Sequence, residues 1–222
     1  MENNPKPERI VAFKDKQSDE ARLYSPSVAR NRDGIRSTFM ETMDAKGHIL
    51  EIASGTGEHA VFIAKSMPNL MWYPGDPDPT ARRSITAWIG ASDVSNVQPP
   101  HMIDTTRDAW PHETDILFDG LVSINMIHIA PRAAMSGLFE GGRKVLKKGG
   151  RLFLYGPFSR NGIHTAASNA AFDASLKSRN VDWGVRDLEN DIIPLATANN
   201  MDLVRVIDMP ANNFSLVFEH GD

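Results

Sequence analysis

Apolar positions along this chain switch repeatedly between a helical and a strand spacing. From Ser25 to about Met43 they recur at Val28, Ile35, Phe39 and Met43, one face of a helix whose polar side carries Arg30, Asn31, Arg32 and Arg36. Ser25 or Ser27 is placed to cap that helix, and Pro26 suits its first turn. The pattern then shortens to Ile49, Leu50 and Ile52, interrupted by Glu51. The small-residue turn Ala53-Ser54-Gly55-Thr56-Gly57 follows, and after it the apolar positions Val61, Phe62 and Ala64. That reads as strand, tight loop and helix, the helix running from about Glu58 to Lys65. Further runs predict strands at Leu70 to Tyr73, Val97 to Ile103, Leu117 to Ile124, Arg151 to Tyr155, Leu203 to Ile207 and Phe214 to Phe218. Helices are expected at Thr80 to about Ala91, Pro131 to Leu146, Ala166 to Ser178 and Asp187 to Asn199. Only Asp208 to Asn213 joins the last two strands, too little chain for a crossover, so these are antiparallel neighbours. The sum is an α/β domain: a doubly wound, mostly parallel seven-stranded sheet, Rossmann-like, with an antiparallel C-terminal hairpin.

Residues 1–19 are polar and proline-punctuated and read as a tail. Residues 20–222 read as a single domain with an N-terminal helix and an inserted segment at about 159–183, too long for a plain connection and rich in polar and aromatic groups. A content of 41% hydrophobic and 23% charged residues is that of a globular protein able to bury one core. No apolar run approaches the about eighteen residues of a membrane span, and MENNPKPERIVAFKDK lacks a signal peptide's apolar segment, so a cytoplasmic address without a membrane partner is expected. Cysteine is absent, which excludes disulfides and thiol catalysis. A net charge of -4 argues against a broad phosphate-binding surface. The one basic cluster, Arg143, Lys144, Lys147, Lys148 and Arg151, lies at a predicted helix end, where cations complement the dipole. Nucleic acid is therefore not the expected partner, and oligomeric state is left open between monomer and homodimer.

The glycine loop points to a nucleotide-like cofactor, because it lets the backbone approach a ligand while the next helix offers free N–H groups. Two cofactor classes use such loops. Gly55-Thr56-Gly57-Glu58-His59-Ala60 fits the dinucleotide pattern, with Asp76 about twenty residues on, which keeps an NAD-dependent oxidoreductase as one alternative. Ser54 and Glu51, however, break the apolar run that a dinucleotide strand carries to its first glycine. Glu51-x-Ala53-x-Gly55-x-Gly57 instead resembles the first motif of class I S-adenosylmethionine-dependent methyltransferases, with Ala53 where that pattern usually has glycine. Asp76 at the second strand end, Asp104 at the third and Asn125 at the fourth extend the resemblance over about Ser25 to Glu219. A narrower set of segments resembles the DUF938 family, relatives of methyltransferase-like protein 26. It comprises Tyr24-Ser25-Pro26 with Arg30-Asn31, Asn125-Met126-Ile127-His128, Tyr155-Gly156-Pro157-Phe158, Ser168-Asn169, Trp183-Gly184-x-Arg186-Asp187 and Met209-Pro210-Ala211-Asn212-Asn213. That resemblance implies the methyltransferase fold, S-adenosylmethionine as cofactor and S-adenosylhomocysteine as product, without a settled substrate.

Roles follow from placement. A carboxylate at the second strand end suits ribose hydroxyls; Asp76 is the better placed, while Asp78 also suits a helix cap. Asp104 suits either an adenine amine or its own turn. The first helix, lying across the strand ends, would bring Tyr24, Arg30 and Asn31 over the cofactor, with Arg30 free to pair a carboxylate. Methyl transfer from a sulfonium needs alignment and the exclusion of water more than a nucleophilic triad. A base near the acceptor is expected to be a histidine: His128 first, with His164 and Asp173 as further candidates. Tyr155, Phe158, Phe172 and Trp183 are aromatic candidates for a wall against a small planar or cationic acceptor, with Asn161, Asn169 and Arg186 as polar contacts. No histidine or carboxylate spacing predicts a metal site. The expected function is transfer of a methyl group to a small-molecule acceptor; the other alternative is a non-catalytic cofactor-binding scaffold or sensor.

Overall fold

The computed structural model describes residues 18–19, 21–107, 110 and 116–221; most of the polar tail read from the sequence lies outside them. Its centre is a six-stranded sheet of β1 (Gly47–Ile52), β2 (Leu70–Gly75), β3 (Phe118–Ile124), β4 (Leu146–Gly156), β5 (Met201–Met209) and β6 (Asn213–His220), in the order β2-β1-β3-β4-β6-β5. The first four strands are parallel, and β6 runs antiparallel to both of its neighbours. Helices α1 (Pro26–Thr42), α2 (Glu58–Ser66), α3 (Pro79–Gly90), α4 (Arg132–Val145), α5 (Ala167–Arg179) and α6 (Ile193–Ala198) complete the domain.

Alternation along the strands divides the core in two. On β4, Leu152 and Leu154 join Leu138, Phe139 and Val145 of α4 on one face. Phe153 and Tyr155 join Ile35 and Phe39 of α1 and Ile63 of α2 on the other. Phe39 is fully buried and packs its ring against Trp72 and Phe153 at 5.5 Å each, which fastens α1 across the sheet.

The seventh strand expected at Val97 to Ile103 is reduced to two parallel bridges, Trp72↔Val97 and Gly75↔His101. Pro99 and Pro100 lie between them and have no N–H to give a ladder, so the segment holds the sheet edge without becoming a continuous strand. The helix expected over Asp187 to Asn199 divides into a π-helical turn at Leu188–Ile192 and the short α6, with Pro194 in the first turn of α6. α4 ends at Val145, and the chain is extended from Leu146. Ser25 is the N-cap residue of α1, but its hydroxyl meets Ser27 Oγ at 2.7 Å and accepts no helix N–H.

The inserted segment leaves and returns at one place. Phe158–Ser159 pairs in parallel with Arg186–Asp187, and the Asp187 carboxylate accepts from Ser159 Oγ at 2.8 Å and from the Gly162 N–H at 2.7 Å. α5 is thus an excursion pinned at its base. Among the described residues no helix is long and apolar enough to cross a membrane.

Candidate active site

β1 turns into α2 through a loop in which Ala53, Gly55 and Gly57 take φ of 58°, 59° and 90°. Gly57 has no substitute, because a Cβ there would lie 2.8 Å from Ile85 Cα on α3. Gly55 differs: a Cβ there would meet only the Ala53 carbonyl oxygen, at 3.9 Å, so the space above it is open. Ala53 keeps the same left-handed conformation with a methyl group attached, at a cost of roughly 1–2 kcal/mol.

Two buried carboxylates support this loop. Glu51 accepts from Trp72 Nε1 at 3.0 Å; burial foremost, with the Asp76 charge added, pushes its carboxyl up to about 7. Asp76 accepts the Gly55 N–H and the Asp78 N–H, each at 2.9 Å, and burial raises it to about 6. The side chain of Asp78 takes the Thr80 N–H at 2.7 Å and caps α3. Asp104 accepts from the Thr106 N–H and hydroxyl and pairs with Arg107, closing its own turn. Tyr24 packs edge-on against Trp88 at 5.1 Å, and Leu23 is bound to Ser84 and Trp88, so the segment before α1 is tied to α3.

Beyond the carboxyl ends of β3 and β4 lies a cavity of about 610 Å³. α1 contributes Ser27, Arg30, Asn31 and Gly34 to its wall, and the β3 end contributes Asn125, His128 and Ile129. Tyr155 and Pro157 follow from β4, and Asn169, Phe172, Leu176 and Arg179 from α5, with Trp183 beyond it. Residues Met209 to Asn213 complete the enclosure. Asn169 Nδ2 donates to the Asn212 carbonyl at 2.9 Å and Asn212 Nδ2 to Ser168 Oγ at 3.3 Å, so the β5–β6 connection is sewn to α5. Ala211 and Asn212 make that arch with φ of 59° and 58°.

Two polar atoms on this wall are buried without a partner, Asn31 Oδ1 and His128 Nε2. The Asn31 side chain hydrogen-bonds the Tyr155 hydroxyl. His128 is 1% exposed, with its ring edge-on to Phe158 at 5.0 Å. Burial foremost, then the Arg186 charge, lowers its pKa to about 3, so the imidazole is neutral. The Arg186 N–H lies 3.4 Å from Nδ1, and the Gly184 backbone also hydrogen-bonds the ring. Gly156 packs closely against this ring: a Cβ there would lie 2.4 Å from Nε2, so no side chain fits. The group expected as a base is held neutral, and its low pKa leaves it little appetite for a proton.

The cavity wall collects Arg30, Asn125, His128, Tyr155, Asn169 and Trp183 from the residues singled out in the sequence. It does not include the loop residues Glu51, Ala53, Gly55, Gly57 and Asp76, nor Tyr24 and Asp104. Phe158 is fully buried in the core instead. Arg186 is spent on the carbonyls of Ile127, Ala130 and Asp182, and Asn161 is exposed at a turn beside Glu189. Asp173 is a brace: although burial would raise it, Lys177 and the Val185 N–H hold its carboxyl below the usual range, with His164 3.5 Å away. Leu176 and Arg179 escaped the sequence reading. Their spacing from Phe172, at i+4 and i+7, is the signal that places them on one helical face.

The sheet order, the antiparallel last strand and the glycine turn after β1 define the fold of class I S-adenosylmethionine-dependent methyltransferases. The chain matches the model of the family described as "Protein of unknown function (DUF938)" over residues 22–220, and it belongs to that family. Among solved structures, it is similar to the mitomycin 7-O-methyltransferase MmcR at a TM-score of 0.72 and 14% identity, covering 89% of this chain and 55% of that one. Human N-acetylserotonin methyltransferase, solved in complex with SAM, gives 0.71 and 14%, covering 88% and 53%. An O-methyltransferase family 2 protein from Planctomyces limnophilus, in complex with apigenin, gives 0.68 and 18%, covering 87% and 59%. The chain thus spans little more than half the length of these proteins.

Proposed function

We propose that this protein transfers a methyl group from S-adenosylmethionine to a small molecule held in the cavity beyond β3 and β4. The observation that carries the reading is the presence of two built features in one methyltransferase fold. One is a glycine turn after β1 with open space above Gly55; the other is a cavity beyond β3 and β4 walled by Arg30, Asn31, Asn125 and Tyr155. The residues present suit the cofactor. Asp76 keeps carboxylate lone pairs for ribose hydroxyls beyond the two N–H groups it already accepts. Arg30 has no ion-pair partner among the described residues and is available to a carboxylate, and Asn31 Oδ1 is an acceptor for an ammonium. Asp78 is occupied as a helix cap, which leaves the ribose to Asp76.

The bound cofactor supplies an electrophilic methyl group on a sulfonium, a leaving group that needs no acid from the protein. What the chain adds is position and dryness. α1, α5 and the β5–β6 arch shield the strand ends, and His128 with Asn125 orients the acceptor. A volume of about 610 Å³ lies in the range of small-molecule sites and favours such a substrate over a protein or nucleic-acid surface.

The test is to incubate the protein with methyl-labelled cofactor and a small-molecule extract and to search for a labelled product. A low-mass methylated product is expected. Label appearing only on protein, or none in any extract while a protein partner co-purifies, would replace this reading by protein methylation or by a cofactor-binding scaffold.

A further inference from the structure

The charge of the cavity wall is one-sided. Among the described residues Arg30 and Arg179 line it and no lysine, aspartate or glutamate does, in a chain whose net charge is -4. Arg179 gives its Nε–H to the Ser175 carbonyl at 3.0 Å, and its other donors meet no carboxylate among the described residues. The end of α5 favours a cation there but does not satisfy the planar fork of donors. His128 Nε2 on the same wall is buried and without a partner. The wall also carries the aromatic and apolar side chains of Phe172, Trp183 and Leu176.

From this arrangement we infer that the acceptor is a small planar anion, an aromatic carboxylate. Its carboxylate is taken by the Arg179 guanidinium and its ring lies along Trp183 and Phe172. The inference rests on the methyltransferase reading and narrows its substrate class. A cationic amine is disfavoured twice: the wall offers it no carboxylate, and the Arg179 guanidinium already stands 6.0 Å from the centroid of the Trp183 ring, where a cation would bind. Among the described residues the wall offers no base of ordinary strength: His128 is held neutral by burial, and Asp173 is committed to Lys177 and Val185.

The experiment is a calorimetric titration of the full chain, saturated with S-adenosylhomocysteine, with 4-hydroxybenzoate, 4-hydroxybenzamide and 4-hydroxybenzylamine. Wild-type protein is expected to prefer the carboxylate over the amide by about tenfold to a hundredfold, the scale of a charge-assisted hydrogen bond, and to reject the amine. Arg179→Gln should erase that preference while leaving S-adenosylhomocysteine affinity and melting temperature unchanged. Arg179→Lys, which keeps the charge but loses the fork, should restore part of it. Equal or tighter binding of the amine, no binding of the carboxylate, or a preference that survives Arg179→Gln would overturn the inference. The S-adenosylhomocysteine titration is read separately: if it succeeds and the carboxylate fails, the acceptor class is wrong and the cofactor reading stands. If S-adenosylhomocysteine itself does not bind, it is the cofactor reading that fails.

Discussion

The two halves of the site are built by opposite means. On the β1–β2 side the backbone does the shaping: a left-handed turn leans on α3, and its Gly55 N–H is held by the buried carboxylate of Asp76. On the β3–β4 side the shape is made by side chains from α1, α5 and the β5–β6 arch, elements far apart in sequence and joined by few bonds. Backbone sites tolerate almost no change of residue type, whereas side-chain walls exchange one contact for another at modest cost. A protein arranged this way holds one constant ligand rigidly and leaves the second open to variation.

The contrast predicts where substitutions are severe. Gly57→Val should be the worst, because its Cβ meets Ile85 backbone at 2.8 Å and its φ is 90°. A loss of roughly 3 kcal/mol or more is expected in denaturant unfolding, the scale of combined overpacking and backbone strain. If Gly57→Val melts like the wild type, the backbone half is less rigid than described.

Next in size is a pH effect. The carboxyl of Glu51 is raised from 4.5 to about 7 in the folded protein. A carboxyl raised by folding contributes stability that is present below its unfolded pKa and lost as pH rises through its folded value. The loss therefore falls between about pH 4.5 and 7, and Asp76, raised to about 6, acts in the same direction. Glu51→Gln keeps an acceptor for Trp72 Nε1 and cannot ionise. It should gain roughly 2–3 kcal/mol over the wild type at pH 8 and nothing at pH 4, as read by unfolding at both values. Equal stability of the two proteins at pH 8 would contradict the burial assigned to Glu51.

Asp76→Ala should weaken S-adenosylhomocysteine by roughly 1–3 kcal/mol, the cost of losing a charged acceptor. Calorimetry checks it, and an unchanged affinity would move the ribose to another group. The smallest effect belongs to the side-chain half. Asn169→Ala cuts the bond to Asn212 and should cost about 1 kcal/mol of stability, with cofactor affinity unchanged and acceptor binding weakened. A loss of cofactor affinity in this variant would show that the halves are coupled rather than separately built.

The same contrast explains what was legible in the sequence. The strand-turn-helix unit at Ile49 to Ala64 was readable because glycines, a strand-end acid and periodic apolar residues are local signals. The helices and strands of the central domain lie near their predicted places, save the edge at Val97 to Ile103, where Pro99 and Pro100 defeat a continuous ladder, and the helix expected over Asp187 to Asn199, which divides into a π-helical turn and α6. Asp78 and Asp104 were left between two roles each, since spacing cannot distinguish a cap from a ligand-facing acid, and in the fold both carboxylates accept N–H groups of their own turns. The acceptor wall was the harder part. Phe158 and Arg186 carry chemistry on paper, yet one is core and the other is consumed by backbone carbonyls. Arg179 has nothing to mark it in the sequence beyond helical spacing from Phe172, and its importance appears only when the insertion folds back over the strand ends.

The central claim is that the glycine turn and Asp76 hold the nucleoside of S-adenosylmethionine at the mouth of the acceptor cavity. Its most direct test is calorimetry of the unmodified chain with S-adenosylhomocysteine and with NAD, at pH 7.5 and again at pH 5. The account predicts saturable one-to-one binding of S-adenosylhomocysteine, no heat with NAD, and weaker affinity at pH 5, where an Asp76 carboxyl raised to about 6 is protonated and loses lone pairs for the ribose. Saturable binding of NAD with no response to S-adenosylhomocysteine would contradict it.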